Sequence, residues 1–103
     1  RLIEFANSLA GKRVKILFGA LKRKDYSGML QTLQAGLPEA ELILTTFHYG
    51  EVVAQGDRQD LPYVADYKAY IKEFMDQSPS DEVLFVTGSL YFIAEVRAFL
   101  LEG

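Results

Sequence analysis

Three short clusters hold the side chains of this 103-residue chain that could do chemistry. The first is Gly19 with Lys22, Lys24 and Asp25. The second is Thr45, Thr46 and His48. The third is Gly88 with Ser89. They offer cations, hydroxyls and, near the glycines, exposed amides. That set suits an anionic small molecule such as a nucleotide phosphate or an amino-acid carboxylate. Gly88 lets backbone approach a ligand with no Cβ in the way. Ser89 stands where a hydroxyl caps a helix or binds an anion beside the helix N-terminus.

Each piece has a plainer reading. Ser89 and Asp25 read as simple N-caps, Lys22-Arg23-Lys24 as a solvated turn, and Thr45 and Thr46 as ordinary strand residues. His48 is the chain's one histidine and has no ligand partner at metal spacing, which argues against a metal or catalytic role. Arg97 binds an anion or lies along its helix with the head in water.

The clusters converge only if the elements around them form a parallel sheet. A first helix is expected over Arg1–Ala10, with Leu2, Phe5, Ala6 and Leu9 at helical spacing and Gly11 as its stop. Val14–Phe18 reads as a strand. A helix starts at Asp25, with Tyr26, Met29, Leu30 and Leu33 on its apolar face, and Gly36 and Pro38 end it. Glu41–Phe47 is a second strand. Residues 48–60 read as a loop with a helical turn around Glu51–Ala54, and Leu61–Val64 as an edge strand. Asp66 caps a helix striped with Tyr67, Tyr70, Ile71 and Phe74, which Ser78-Pro79 closes. Glu82–Thr87 is a last strand and Ser89–Leu101 a last helix.

Alternating strands and helices imply βαβ crossovers, and the nearly continuous apolar strands imply helices on both faces. The expected fold is α/β: a Rossmann-like three-layer α/β/α sandwich with a mainly parallel sheet. The helical pattern already under way at Arg1, and the few strands, read as a fragment truncated at its N-terminal strands.

Composition narrows the classes. The length allows one domain. Half the residues are apolar, the net charge is −3 and there is no cysteine. A mildly acidic chain lacks the basic footprint of a nucleic-acid binder. Without cysteine there is no disulfide, thiolate zinc site or thiol catalysis. No apolar run approaches the roughly 18 residues of a membrane span. A cytoplasmic protein with neither nucleic-acid nor membrane partners is the expectation. The Gly-x-x-x-x-Gly-Lys-Ser/Thr phosphate loop, the Gly-x-Gly-x-x-Gly fingerprint and a nucleophile elbow are all missing.

The wording of three blocks adds a resemblance. Gly88-Ser89-Leu90-Tyr91, between an apolar strand and a helix with Glu95-Val96-Arg97, resembles the C-terminal signature of folylpolyglutamate synthases and bifunctional dihydrofolate synthases, members of the Mur ligase superfamily. KILFGALKRKD, Lys15–Asp25, looks like that family's strand, Gly-Ala turn and Lys-Asp pair. ELILTTF, Glu41–Phe47, is similar to its threonine-ended strand. Residues 48–80 match poorly.

The resemblance implies a Mur ligase-type C-terminal, glutamate-binding domain of a longer ATP-dependent ligase, whose ATPase domain precedes it in the same chain. Such enzymes phosphorylate a folate γ-carboxylate with Mg·ATP. The amine of L-glutamate then attacks the acyl phosphate, an amide forms, and phosphate leaves. ATP and Mg2+ would be bound mainly outside these residues, and the isolated chain would be inactive. The implied substrate-cleft residues are Lys24, Asp25, Gly88, Ser89 and Tyr91. Gly19, Lys22, Thr46 and His48 would be nucleotide-side contacts; no catalytic or metal-ligating residue is assigned. Two departures stand against nucleotide contacts. The family's Asp-Gly-Ala-His-Asn-Pro stretch would lie before Arg1, and His48-Tyr49-Gly50 replaces its proline-arginine segment. Another Mur-superfamily amide ligase, or a non-catalytic flavodoxin-like module that binds an anion or partner, are the alternatives.

Overall fold

In the computed structural model, residues 13–22, 25–48, 51–53, 59–77 and 81–102 are described. The expected first helix, Lys24, Tyr49-Gly50 and Ser78-Pro79 lie outside them. The elements are β1 (Arg13–Gly19), α1 (Tyr26–Gly36), β2 (Glu41–Thr45), β3 (Tyr63–Val64), α2 (Tyr67–Gln77), β4 (Glu82–Gly88) and α3 (Leu90–Glu102). Every strand pairing is parallel, in the order β3-β2-β1-β4.

The strands alternate, but between two apolar faces. Ile16, Phe18, Leu42 and Leu44 point to one side, where Leu30 and Leu33 of α1 and Leu37 cover them. Leu17 and Ile43 point to the other, against Tyr67 and Ile71 of α2 and Phe92 and Val96 of α3. Burial on both faces explains why these strands read as nearly continuous apolar runs. The result is the expected three-layer α/β/α sandwich of Rossmann-like type.

Each described helix starts on a side-chain cap that satisfies one of its orphan amides. Asp25 accepts from the Gly28 amide at 3.0 Å, Asp66 from the Ala69 amide at 3.1 Å, and Ser89 from the Tyr91 amide at 3.1 Å. Asp25→Ala should therefore cost about 0.5–2 kcal/mol. Urea unfolding would measure it; an unchanged midpoint would mean the cap contributes nothing.

Two expectations are corrected. The second strand stops at Thr45, because Phe47 turns down into the core beside Phe92. The helical turn around Glu51–Ala54 is not formed over the described part of that segment. Val52 instead bridges Leu21 in antiparallel sense, with Lys22 N donating to Glu51 O and Val53 N to Ala20 O. Fully buried Val53 anchors this stitch, so burial of one apolar residue decides the conformation.

Candidate functional site

β1 and β4 are neighbours, yet α1 leaves β1 for one face and α3 leaves β4 for the other. Their turns part above the strands' carboxyl ends, the position at which open α/β sheets hold ligands. The gap is an open crevice of about 900 Å3.

One wall is a stripe of α1: Asp25, Gly28, Met29 and Thr32. These fall at i, i+3, i+4 and i+7, one helix face, beside the core stripe of Leu30 and Leu33. The opposite wall is Gly88, Ser89, Leu90, Tyr91 and Ala94, and Ala20 and Leu21 also line the gap. The site is thus mostly apolar. Leu90 is 80% exposed and Tyr91 46% exposed at its edge.

The two glycine turns are locked together. Gly88 has φ +121°, and a Cβ there would overlap the Gly19 carbonyl oxygen. The Ser89 amide donates to that same oxygen at 2.8 Å. A Cβ on Gly19 would in turn meet the Phe92 ring at 2.8 Å. Gly19 is buried; its part is to let β1, β4 and α3 meet.

This alters the expected chemistry. The Ser89 amide is not exposed for a ligand, because Gly19 occupies it. What Ser89 offers is its hydroxyl, which accepts from Tyr91 N and keeps a hydrogen to donate, at the N-terminus of α3. Lys22 does not line the wall either. Lys22 is exposed on the loop beyond Leu21, and Asp25 is the charged side chain on the wall among the described residues.

The second cluster separates from the other two. Thr46 and His48 border another hollow, of about 430 Å3, with Phe47, Asp66, Tyr67 and Lys68. β2 and β4 flank β1 on opposite sides, so their ends lie two strand spacings apart, about 9–10 Å. Thr45 is wholly buried and donates to Val64 O at 2.6 Å, which fastens β3 to β2 rather than facing a ligand.

The residue missed from sequence is Glu95. Its carboxylate accepts from Tyr67 Oη at 2.7 Å and His48 N at 3.1 Å, and lies 3.3 Å from His48 Nδ1. One side chain of α3 thus ties down the end of β2 and the start of α2. Partial burial raises the Glu95 pKa, but the hydrogen bonds from Tyr67 and His48 outweigh it, and the carboxyl titrates below its ordinary 4.5. Burial and then the Glu95 carboxylate push the Tyr67 hydroxyl well above the usual tyrosine range.

A depressed carboxyl stabilises the fold above its unfolded pKa and loses that contribution as pH falls through the folded one. Glu95→Gln should therefore destabilise most above pH 4.5, with the gap to the unsubstituted chain closing as pH drops below it. Urea midpoints across an acid series would show this; a gap independent of pH would contradict it.

The described residues hold no group of three or more His, Cys, Asp or Glu able to bind a metal ion, and the sequence has no Gly-x-x-x-x-Gly-Lys-Ser/Thr loop. No helix among them is long and apolar enough to cross a membrane.

No family model matches the chain, and no solved structure matches it. A curated relative does: a protein of Bacillus subtilis (strain 168) named dihydrofolate synthase/folylpolyglutamate synthase, 30% identical over 103 aligned residues. The match takes in 90% of this chain and 22% of that protein. Over nine-tenths of its length, then, the chain is similar to about a fifth of that protein.

Proposed function

We propose that this chain is the C-terminal, glutamate-binding part of an ATP-dependent folate:L-glutamate ligase. One observation carries the reading. The residues that bear the resemblance, Asp25 and Gly88 to Tyr91, come from distant parts of the sequence and line one crevice at the switch point of the sheet. Similarity to the Bacillus protein supports the same reading.

In the crevice an amino acid would lie with its carboxylate at the start of α3. There the Ser89 hydroxyl would donate to it, helped by the helix dipole. The Asp25 carboxylate would face the amine end, orienting it for attack on an acyl phosphate held by the partner domain. Met29, Leu90 and Tyr91 would keep water from that reactive group. Lys24, next to Asp25 in sequence, would be a further contact to the substrate. Thr46, His48 and Lys22 would be the nucleotide-side contacts, and Thr46 and His48 border the second hollow. ATP and Mg2+ would be held by the part of the longer polypeptide that these residues do not include.

The longer polypeptide should join L-glutamate to a folate in the presence of Mg·ATP, whereas the 103-residue chain alone should form no product. A substrate panel of folates and cell-wall precursors tests both points. Turnover by the chain alone, or on cell-wall precursors only, would refute the reading.

A further inference from the structure

The third residue of α1 is a glycine, Gly28, although glycine weakens a helix relative to alanine. Its backbone does not demand one, because Gly88 is the glycine with positive φ among the described residues. Gly28 stands on the crevice wall, one turn beyond Asp25 and on the same helix face.

The space of its missing side chain is filled by Asp25. A Cβ on Gly28 would overlap Asp25 Oδ2 and lie 2.8 Å from Cγ and 3.0 Å from Oδ1. Oδ1 is engaged in the cap, accepting from the Gly28 amide at 3.0 Å. Oδ2 has no partner among the described residues. The backbone beneath is held on both sides. Met29 N donates to Asp25 O at 3.1 Å, and Thr32 Oγ1 donates to Gly28 O at 3.0 Å. A methyl added at position 28 would therefore displace the carboxylate, the far end of a flexible side chain, before it moved the helix.

We propose that Gly28 is a positioning residue. It leaves the room in which the Asp25 carboxylate holds the amine of the amino acid bound in the crevice. The inference rests on the amino-acid reading of that crevice. It separates two consequences of one methyl. For stability, the gain in helix propensity offsets the weakened cap. For the reaction nothing offsets the misplaced oxygen, and a shift of about 1 Å at a reacting group can cost about 100-fold in rate.

Steady-state kinetics of the longer polypeptide test this as a cycle of Gly28→Ala, Asp25→Ala and the two together, with a urea midpoint for each. Gly28→Ala should lower kcat/KM for L-glutamate by about 10-fold to 100-fold. Its urea midpoint should stay near that of the unsubstituted protein. In the Asp25→Ala background the same methyl meets no carboxylate and should cost nothing further. Unchanged kinetics in Gly28→Ala, with Asp25→Ala impaired, would overturn the positioning role and leave the amino-acid reading standing. Unchanged kinetics in Asp25→Ala would overturn both. An equal loss from the methyl in the two backgrounds would also overturn the proposal, since the methyl would then crowd the ligand directly. So would a Gly28→Ala chain that does not fold, because the glycine would then serve the fold and not the carboxylate.

Discussion

Gly88→Ala should be the most damaging single methyl that can be added near the crevice. At φ +121° an alanine carries backbone strain of about 1–3 kcal/mol before any contact is considered. The new Cβ would also overlap the Gly19 carbonyl oxygen. That oxygen cannot move aside cheaply. It belongs to β1 where β1 and β4 are in register, and it holds the Ser89 amide at 2.8 Å. Relief means parting the two strands or tilting α3 off its cap. The expected loss is above about 4 kcal/mol, in the exceptional class for point substitutions and a large share of the roughly 5–15 kcal/mol of a small domain. Denaturant unfolding measures it. A loss below about 1 kcal/mol would show that the turn is not locked as described.

Phe92→Ala should follow closely. Phe92 has no solvent exposure and fills the space under the crevice. Its ring lies against Gly19, stacks obliquely on Phe47 with centroids 5.1 Å apart, and meets Tyr67 edge-on at 5.4 Å. Truncation removes the burial and leaves a cavity whose walls belong to β1, the end of β2 and α2. None can collapse without disturbing the others. A cost of about 3–5 kcal/mol is expected, with Phe92→Leu, which keeps most of the volume, losing less. Urea titrations of the two variants would check the order. Equal losses would mean that shape, and not the void, sets the cost.

Both substitutions act on residues whose importance is only half legible in the sequence. Gly88 reads as a turn glycine, but that its carbonyl neighbour is Gly19 follows only from the β1–β4 register. Phe92 reads as one more apolar residue of a helix, and only the fold shows it between three elements. The caps Asp25, Asp66 and Ser89 were readable because a cap acts within its own helix end. The two-sided strands were readable because their residues are apolar almost without a break.

The site was less readable for a related reason. Asp25, Gly28, Met29 and Thr32 do repeat at helical spacing, but the core stripe beside them carries the stronger signal, and Met29 looked like part of it. The expected meeting of three clusters failed at the second one. A shared sheet edge fixes which end of each strand a residue occupies, not how far apart two strands lie. Glu95 was passed over because its partners, His48 and Tyr67, are far away in sequence.

The claim at the centre is that the crevice between β1 and β4 holds the amino acid that the ligase adds. Steady-state kinetics of the longer polypeptide with Ser89→Ala test it most directly. Loss of a hydrogen bond to a charged carboxylate costs about 1.5–3 kcal/mol. The kcat/KM for L-glutamate should therefore fall by about 10-fold to 100-fold, with the KM for ATP unchanged and His48→Ala leaving the glutamate constants as they were. Unchanged glutamate kinetics in Ser89→Ala would contradict the account.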